Sequence, residues 1–251
     1  MEAPEFSADL YREVTEFAEG TPSWLHTVAE VGTDAGLLLF AALFVVGWWR
    51  ARAGGSRSMA LALGAPVAVV AAYLVSEVSK TFIEEERPCR AVQGAVHIAA
   101  CPSPGDWSFP SNHSTIAAAS AAVIVVAWRS AWRSVAPLVL PLAAVMAFSR
   151  VFVGVHYPHD VAAGFVLGVV AAPLVALALV RVLGPLVEAV RGVPAGAVLL
   201  GARPAAPGGA GPAPEPVGAG PVGAASVTRV DDAAVTMPDV MGGVTRRGPL
   251  P

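Results

Sequence analysis

Residues 161–180 read VAAGFVLGVVAAPLVALALV and contain no charged side chain. A helix needs about 20 apolar residues to cross the hydrocarbon core of a bilayer, so this stretch alone predicts a transmembrane helix. Other uncharged apolar runs precede it, some of which need flanking residues to reach that length: Ala35–Trp49, Ser58–Ser76, Ser114–Trp128 and Ser134–Ser149. The sequence therefore predicts an all-α fold, a polytopic membrane helical bundle with about five transmembrane helices.

The composition excludes several classes of protein. Hydrophobic residues make up 55% of the chain and charged residues 14%, whereas soluble domains carry roughly a quarter charged residues. The net charge of −3 provides no basic field for nucleic acid. Two cysteines are too few for a disulfide-rich scaffold or a four-cysteine zinc site. A membrane protein remains, whose partners are the lipid bilayer and a substrate within it.

The chain divides into three predicted parts. Residues 1–26 form an extracytoplasmic segment with an amphipathic helix, whose apolar positions have helical spacing: Phe6, Leu10, Val14 and Phe17. Residues 27–200 form the membrane domain. Residues 201–251 contain 10 glycines and 9 prolines, a composition that cannot build a core and predicts a disordered cytoplasmic tail.

The distribution of basic residues predicts the orientation. Most arginines fall in the loops on one side of a five-span bundle, and that side is expected to be cytoplasmic: Arg50, Arg52, Arg57, Arg129, Arg133, Arg181 and Arg191. The N-terminus and the long loop 82–110 are then outside, and the C-terminus is inside. A smaller set of cations breaks this rule on the outer side, and such exceptions often mark function: Lys80, Arg87, Arg90 and Arg150.

Three stretches place polar residues at the predicted outer helix ends. They are KTFIEEERP at 80–88, FPSNHS at 109–114 and SRVFVGVHYPHD at 149–160. If the second span continues as a helix, Lys80 and Arg87 lie two turns apart on nearly the same face.

The cations in these stretches predict an anion-binding pocket. Lys80, Arg87 and Arg150 would be costly at the edge of a membrane bundle unless an anion satisfied them. Arginine offers a planar fork to phosphate oxygens, and lysine offers a point charge. Pro110-Ser111-Asn112 is typical of a helix start, where free backbone N–H groups bind anions.

Two histidines add reactive groups to this pocket. His156 and Asp160 are four residues apart, so the carboxylate can hold one imidazole nitrogen and leave the other free to attack. His113 lies in the first predicted turn of its span, where it can donate a proton to a leaving oxygen.

The three stretches resemble the signature of the type 2 phosphatidic acid phosphatase (PAP2) superfamily. That pattern is Lys-x6-Arg-Pro, then Pro-Ser-Gly-His, then Ser-Arg-x5-His-x3-Asp, and the match runs from Lys80 to Asp160 with the internal spacings intact. The resemblance implies a PAP2/haloperoxidase-like helical core. Asn112 stands where the family usually has glycine, and a side chain there is expected to crowd the phosphate loop.

The resemblance also implies a role for each matched residue. His156 would be the nucleophile that forms a phosphohistidine, Asp160 would orient it, and His113 would protonate the leaving group and later activate water. The phosphate oxygens would be contacted by Lys80, Arg87, Arg150, Ser111 and the backbone N–H of Asn112. The family is metal-independent, so no metal and no cofactor are implied, and no competing metal cluster is evident in the sequence.

This reading predicts an enzyme, a membrane lipid phosphatase with an extracytoplasmic site. Polyprenyl (undecaprenyl or decaprenyl) diphosphate is the favoured substrate, going to the monophosphate in cell-wall carrier recycling, and phosphatidic acid or phosphatidylglycerophosphate is the alternative. A lipid-linked phosphotransferase, a haloperoxidase and a non-catalytic membrane scaffold or transporter are the rival functions. The soluble character of haloperoxidases and the intact motif residues disfavour the last two.

Cys89 and Cys101 both fall in the predicted outer loop. The extracytoplasmic setting is oxidising, which favours a disulfide between them. In the chain-entropy model such a bond contributes about 3 kcal/mol and would fix the loop over the site.

Overall fold

The computed structural model describes residues 3–202, so the predicted tail from 203 onward lies outside the described part of the chain. The described residues form helices and no strand, and the all-helical prediction is confirmed. The helices are α1 (Glu5–Glu19), α2 (Ser23–Ala51), α3 (Ser56–Ile83), α4 (Pro88–Ala91), α5 (Asn112–Ala127), α6 (Trp132–Phe152), α7 (Pro158–Arg191) and α8 (Pro194–Leu200). A short 3₁₀ turn, Arg129–Ala131, precedes α6.

Four of the five predicted apolar runs lie within a helix, and the run Ser114–Trp128 extends one residue past the end of α5. Four segments are long and apolar enough to cross a membrane: Ser23–Ala51, Ser56–Ala91, Arg129–Phe152 and Pro158–Arg191. The fifth apolar helix, α5, has 16 residues and is shorter than a typical transmembrane helix. The chain is therefore built as a multi-pass membrane bundle with one short helix.

Helix α5 lies at the centre of the bundle and contacts α2, α3, α6 and α7. Its buried face is made mainly of alanine, and the facing helix α7 contributes two glycines. A Cβ atom on Gly164 would lie 2.5 Å from the carbonyl oxygen of Ser111, and one on Gly168 would lie 2.7 Å from the nitrogen of Ala119. Small residues allow helix backbones to approach this closely. This contact brings the start of α7 beside the start of α5.

The proposed site residues lie at one end of the bundle. The C-terminal ends of α3 and α6 meet the N-terminal ends of α5 and α7 there, and α1 packs against α6 and α7. At the opposite end Arg191 donates hydrogen bonds to the carbonyl oxygens of Ala51, Gly54 and Leu200. Arg191 thus ties the end of α7 to the end of α2 and to α8.

Helix α1 is present as predicted, but its predicted apolar stripe is not the face that docks. Its buried residues are Ser7, Tyr11, Thr15 and Ala18. The Tyr11 hydroxyl donates a hydrogen bond of 3.0 Å to the carbonyl oxygen of Gly154, in the turn before α7. Phe6 and Phe17 are exposed, as expected of a helix that lies at a membrane interface.

Candidate active site

His156 lies in the turn between α6 and α7 and is enclosed, with 2% of its side chain exposed. The turn depends on Gly154, whose φ of 81° is in the left-handed region that favours glycine. Asp160, fully buried in the first turn of α7, places Oδ2 3.3 Å from His156 Nδ1. The same oxygen accepts hydrogen bonds from the Tyr157 backbone N–H at 2.8 Å and from the Ser108 hydroxyl at 2.5 Å. The position of the carboxylate is thus fixed by hydrogen bonds other than its contact with the imidazole.

Arg87 reaches His156 by a different route from the one predicted. The continuous helix that would place Lys80 and Arg87 on one face is wrong, because α3 ends at Ile83 and Glu84 adopts a left-handed conformation. Pro88 also disfavours helical geometry at the residue before it, and Arg87 is the extended N-cap of α4. The chain turns back toward the bundle, and the guanidinium points into it.

The contact between Arg87 and His156 fixes the tautomer of the imidazole. Arg87 Nη1 lies 3.0 Å from His156 Nε2. A guanidinium can only donate hydrogen bonds, so Nε2 must be the acceptor and the proton must be on Nδ1, facing Asp160. Burial and the positive charges of Arg87, Arg150 and Lys80 lower the pKa of His156 well below its ordinary value. The imidazole is therefore neutral at pH 7, with its Nε2 lone pair directed at the cations.

The other proposed cationic groups lie near His156, and Ser111 precedes α5 at the same end of the bundle. Lys80 and Arg87 are both buried, and Lys80, Arg87, Arg150 and His113 all act electrostatically on His156. Among the described residues, the buried Ser111 hydroxyl and Arg150 Nε have no hydrogen-bond partner. Buried polar groups normally find a partner, so these two atoms fit a site that binds an anion.

His113 occupies the first turn of α5, where the sequence places it, and 32% of its side chain is exposed. Its Nε2 lies 3.3 Å from Oδ1 of Asp34 on α2. The Ser111 backbone N–H donates to the carbonyl oxygen of Asp160 at 3.1 Å, which ties the start of α5 to the start of α7. The two histidines and the three cations thus come together from four helix ends and one loop.

Comparisons with known proteins identify the family that this part of the chain matches. Residues 61–182 match the model of the PAP2 superfamily. These residues belong to the PAP2 superfamily. They contain α5 and α6 together with most of α3 and of α7, and all the residues of the candidate site that the sequence identified.

Two relatives extend the comparison. A protein of Sulfolobus acidocaldarius named undecaprenyl-diphosphatase is 32% identical over 102 residues, which are 41% of this chain and 47% of that protein. The match thus spans about half the length of that relative. The crystal structure of a transmembrane PAP2 type phosphatidylglycerolphosphate phosphatase from Bacillus subtilis superposes with a TM-score of 0.53 at 24% identity. The superposition covers 68% of this chain and 85% of the Bacillus subtilis chain. It shows that the two proteins share a fold.

Asn112, the departure from the PAP2 pattern, directs its side chain toward α3. Its Oδ1 accepts a hydrogen bond of 2.7 Å from the Ser76 hydroxyl, and its Nδ2 donates one of 2.5 Å to Glu77 Oε2. The extra side chain is thus engaged by α3, which also carries Lys80. The Asn112 side chain therefore links the start of α5 to α3.

A second group of polar residues lies behind Asp160. The Nε2 atom of His159 lies 3.0 Å from Glu85 Oε1 and 3.2 Å from Asp160 Oδ1, and its Nδ1 lies 2.7 Å from the Ser7 hydroxyl. No metal cluster is evident in the sequence. In the structure, Glu85, His159 and Asp160 have ligand-type atoms within 4.8 Å of one another. In the described part of the chain the imidazole of His159 bridges the two carboxylates and stacks on Phe109.

Three further residues, which the predicted site does not include, contact it. Ser108 donates to Asp160, Asp34 pairs with His113, and Asp106 pairs with Lys80 and Arg87. Ser108 and Asp106 carry a weak signal, because they directly precede the second motif. Asp34 had a stronger one, since a carboxylate at the edge of a predicted span is a functional candidate.

Cys89, within α4, forms a disulfide with Cys101, in the loop between α4 and α5. The loop is also attached to the turn between α6 and α7 that carries His156. The backbone N–H groups of Ile98 and Ala99 donate hydrogen bonds to the carbonyl oxygen of Val153 in that turn. This loop is therefore held both by its disulfide and by hydrogen bonds to that turn.

Proposed function

We propose that the chain is a membrane lipid phosphatase that acts through a phosphohistidine on His156. The observation that carries this proposal is the hydrogen bond from Arg87 Nη1 to His156 Nε2. It leaves the imidazole neutral and presents its nucleophilic nitrogen beside a cation suited to phosphate oxygens. A plain structural histidine would not require the additional cations Lys80 and Arg150 near it.

In the first step, Arg87 Nη1 transfers its hydrogen bond from His156 Nε2 to a phosphate oxygen, and the freed Nε2 attacks phosphorus while the bond from phosphorus to the leaving oxygen breaks. Asp160 holds the Nδ1 proton and stabilises the positive charge that develops on the ring. His113 donates its proton to the leaving oxygen. Lys80, Arg87 and Arg150 stabilise the charge on the equatorial phosphoryl oxygens.

In the second step, water attacks the phosphohistidine and the phosphorus–nitrogen bond breaks. His113, now neutral, accepts a proton from the attacking water and returns to its starting state. Inorganic phosphate leaves, and His156 recovers its lone pair. Asp160 and the cations keep the roles they have in the first step, so no metal ion is required.

The substrate is proposed to be a lipid with its phosphate at the headgroup. The site lies at the ends of apolar helices, and an apolar groove of about 350 Å³ runs between α2 and α6. Thr33 and Ser149 line this groove, each next in sequence to a residue of the site. We favour polyprenyl diphosphate going to monophosphate, because the Sulfolobus relative is named undecaprenyl-diphosphatase. The arginines at the opposite end support a cytoplasmic position for that end by the positive-inside rule, and we propose that the site faces the outside.

The test is phosphate release by the purified chain in detergent containing a chelator. Polyprenyl diphosphate, phosphatidic acid and phosphatidylglycerophosphate are compared at equal surface fraction, with His156→Ala as the matched control. We expect release from the diphosphate to be fastest and unaffected by the chelator. Release that is absent with every substrate, or equal in the variant, would contradict the proposal. Labelled phosphate that appears on another lipid instead of in solution would identify a phosphotransferase.

A further inference from the structure

Asp106 contacts two of the cations assigned to phosphate. Its Oδ1 lies 2.8 Å from Arg87 Nη2 and 3.5 Å from Lys80 Nζ. Its backbone carbonyl oxygen accepts a further hydrogen bond of 2.8 Å from Arg87 Nε. One residue of the outer loop thus occupies donors of both cations, next to the nucleophilic nitrogen of His156.

The backbone around Asp106 is held in place while its side chain is half exposed. The Ser108 N–H donates to the carbonyl oxygen of Glu85 at 2.8 Å, and the Asp106 N–H donates to Ser103 at 3.1 Å. Upstream, the disulfide of Cys101 closes the loop. The Asp106 side chain is 48% exposed, so it can rotate toward solvent without moving the loop.

The carboxylate and a phosphate would use the same donors. Burial acts to raise the pKa of Asp106, but the hydrogen bond and charge of Arg87, together with Lys80, lower the pKa below its ordinary value. Asp106 is therefore ionised at pH 7. Two anions on the same pair of donors repel each other, so a phosphate can bind Lys80 and Arg87 Nη2 only when the carboxylate leaves them.

We propose that Asp106 is an internal competitor that sets which phosphates enter the pocket. A phosphate monoester or a terminal diphosphate carries close to two negative charges at pH 7 and can displace a single carboxylate. A phosphodiester carries one charge and gains little over the carboxylate it would displace. The bilayer around the site is rich in phosphodiester headgroups, and Asp106 disfavours them. This inference rests on the proposed function and adds a specificity-determining residue to it.

The experiment compares Asp106→Asn with the natural chain, and uses Asp9→Asn as the control. Asp9 lies at the same end of the bundle and pairs with Arg12 at 2.8 Å, so its variant removes one negative charge away from the site. Binding of inorganic phosphate is measured by calorimetry. Inhibition of phosphate release from polyprenyl diphosphate by phosphatidylglycerol is measured in mixed micelles. Thermal melting is recorded for each variant, and Asp106→Ala is made as a second test.

In both Asp106 variants we expect the Kd for inorganic phosphate to fall about fivefold, the upper range for a partly exposed ion pair. We expect the inhibition constant for phosphatidylglycerol to fall by a larger factor. For the substrate, we expect KM to change more than kcat. Asp9→Asn should change neither constant. Phosphate binding that is unchanged or weaker in both variants would overturn the inference and identify Asp106 as a residue that positions Arg87. Because binding is measured without turnover, failure of the phosphatase proposal would not be mistaken for this result.

Discussion

The two imidazoles of the site have different surroundings. His156 is 2% exposed and faces the fully buried Asp160, whereas His113 is 32% exposed and faces Asp34, whose side chain is 76% exposed. A nucleophile must present the same nitrogen in the same direction in every turnover, and burial with a fixed carboxylate achieves this. A general acid must exchange protons with the leaving group and with water, which requires access to solvent.

The largest expected effect is that of His156→Ala. Because the attacking nitrogen is removed, we expect kcat for phosphate release to fall about a thousandfold or more. The measurement is initial-rate release from polyprenyl diphosphate. His97→Ala, in the outer loop, is the control and should retain most of the activity. A His156→Ala enzyme with near-normal turnover would mean that the enclosed imidazole is only structural.

Asp160→Asn should have the next largest effect. The amide can still accept hydrogen bonds from Tyr157 and Ser108, but it carries no charge to stabilise the imidazolium that forms. We expect kcat to fall about a hundredfold, at the lower end of acid–base contributions, with little change in thermal melting. A loss of kcat accompanied by an equal loss of folded protein would show instead that Asp160 acts through stability.

Asp34→Asn should have a much smaller effect, because its partner contact is partly solvated. Exposed ion pairs contribute about 0.2–1 kcal/mol, so we expect kcat to fall about two- to fivefold. The alkaline limb of the pH–rate profile should move to lower pH, since the carboxylate favours the protonated form of His113. Asp34→Glu should restore part of the activity. An unmoved pH profile would exclude Asp34 as the partner of the acid.

The smallest expected effect is that the imidazole of His156 titrates at a lower pH than an ordinary histidine. Because burial and the nearby cations lower the pKa of His156, its imidazole should stay neutral as the pH falls through about 6.5, the ordinary histidine value. NMR of ring-labelled histidines would follow this, with the His156 signal assigned by its loss in His156→Ala. A midpoint near 6.5 for that signal would contradict the proposed hydrogen bond from Arg87 to a neutral Nε2.

The sequence predicts the framework of the molecule better than its detailed contacts. The uncharged runs identify the apolar helices, because a bilayer demands length and apolarity that are visible residue by residue. The start of α5 at Asn112 follows from the local signal of Pro110 and Ser111. These features depend on neighbours in the chain.

The contacts that could not be predicted depend on three-dimensional packing. Arg87 reaches His156 through a left-handed turn at Glu84, and a helical extrapolation from Lys80 cannot show it. Asp34 meets His113 across 79 positions, and Asp106 meets two cations from a loop without regular structure. The direction of the Asn112 side chain was equally hidden, because it is decided by Ser76 and Glu77 on another helix.

The most direct test of the account is to trap the phosphoryl group on the enzyme. The natural chain and His113→Ala are mixed with a substrate labelled in its terminal phosphate, quenched within milliseconds and digested, and the labelled peptide is sequenced. We predict label on His156 alone, and label that decays more slowly in His113→Ala because dephosphorylation lacks its base. Phosphate release without any label on His156, or label on another residue, would contradict the central claim.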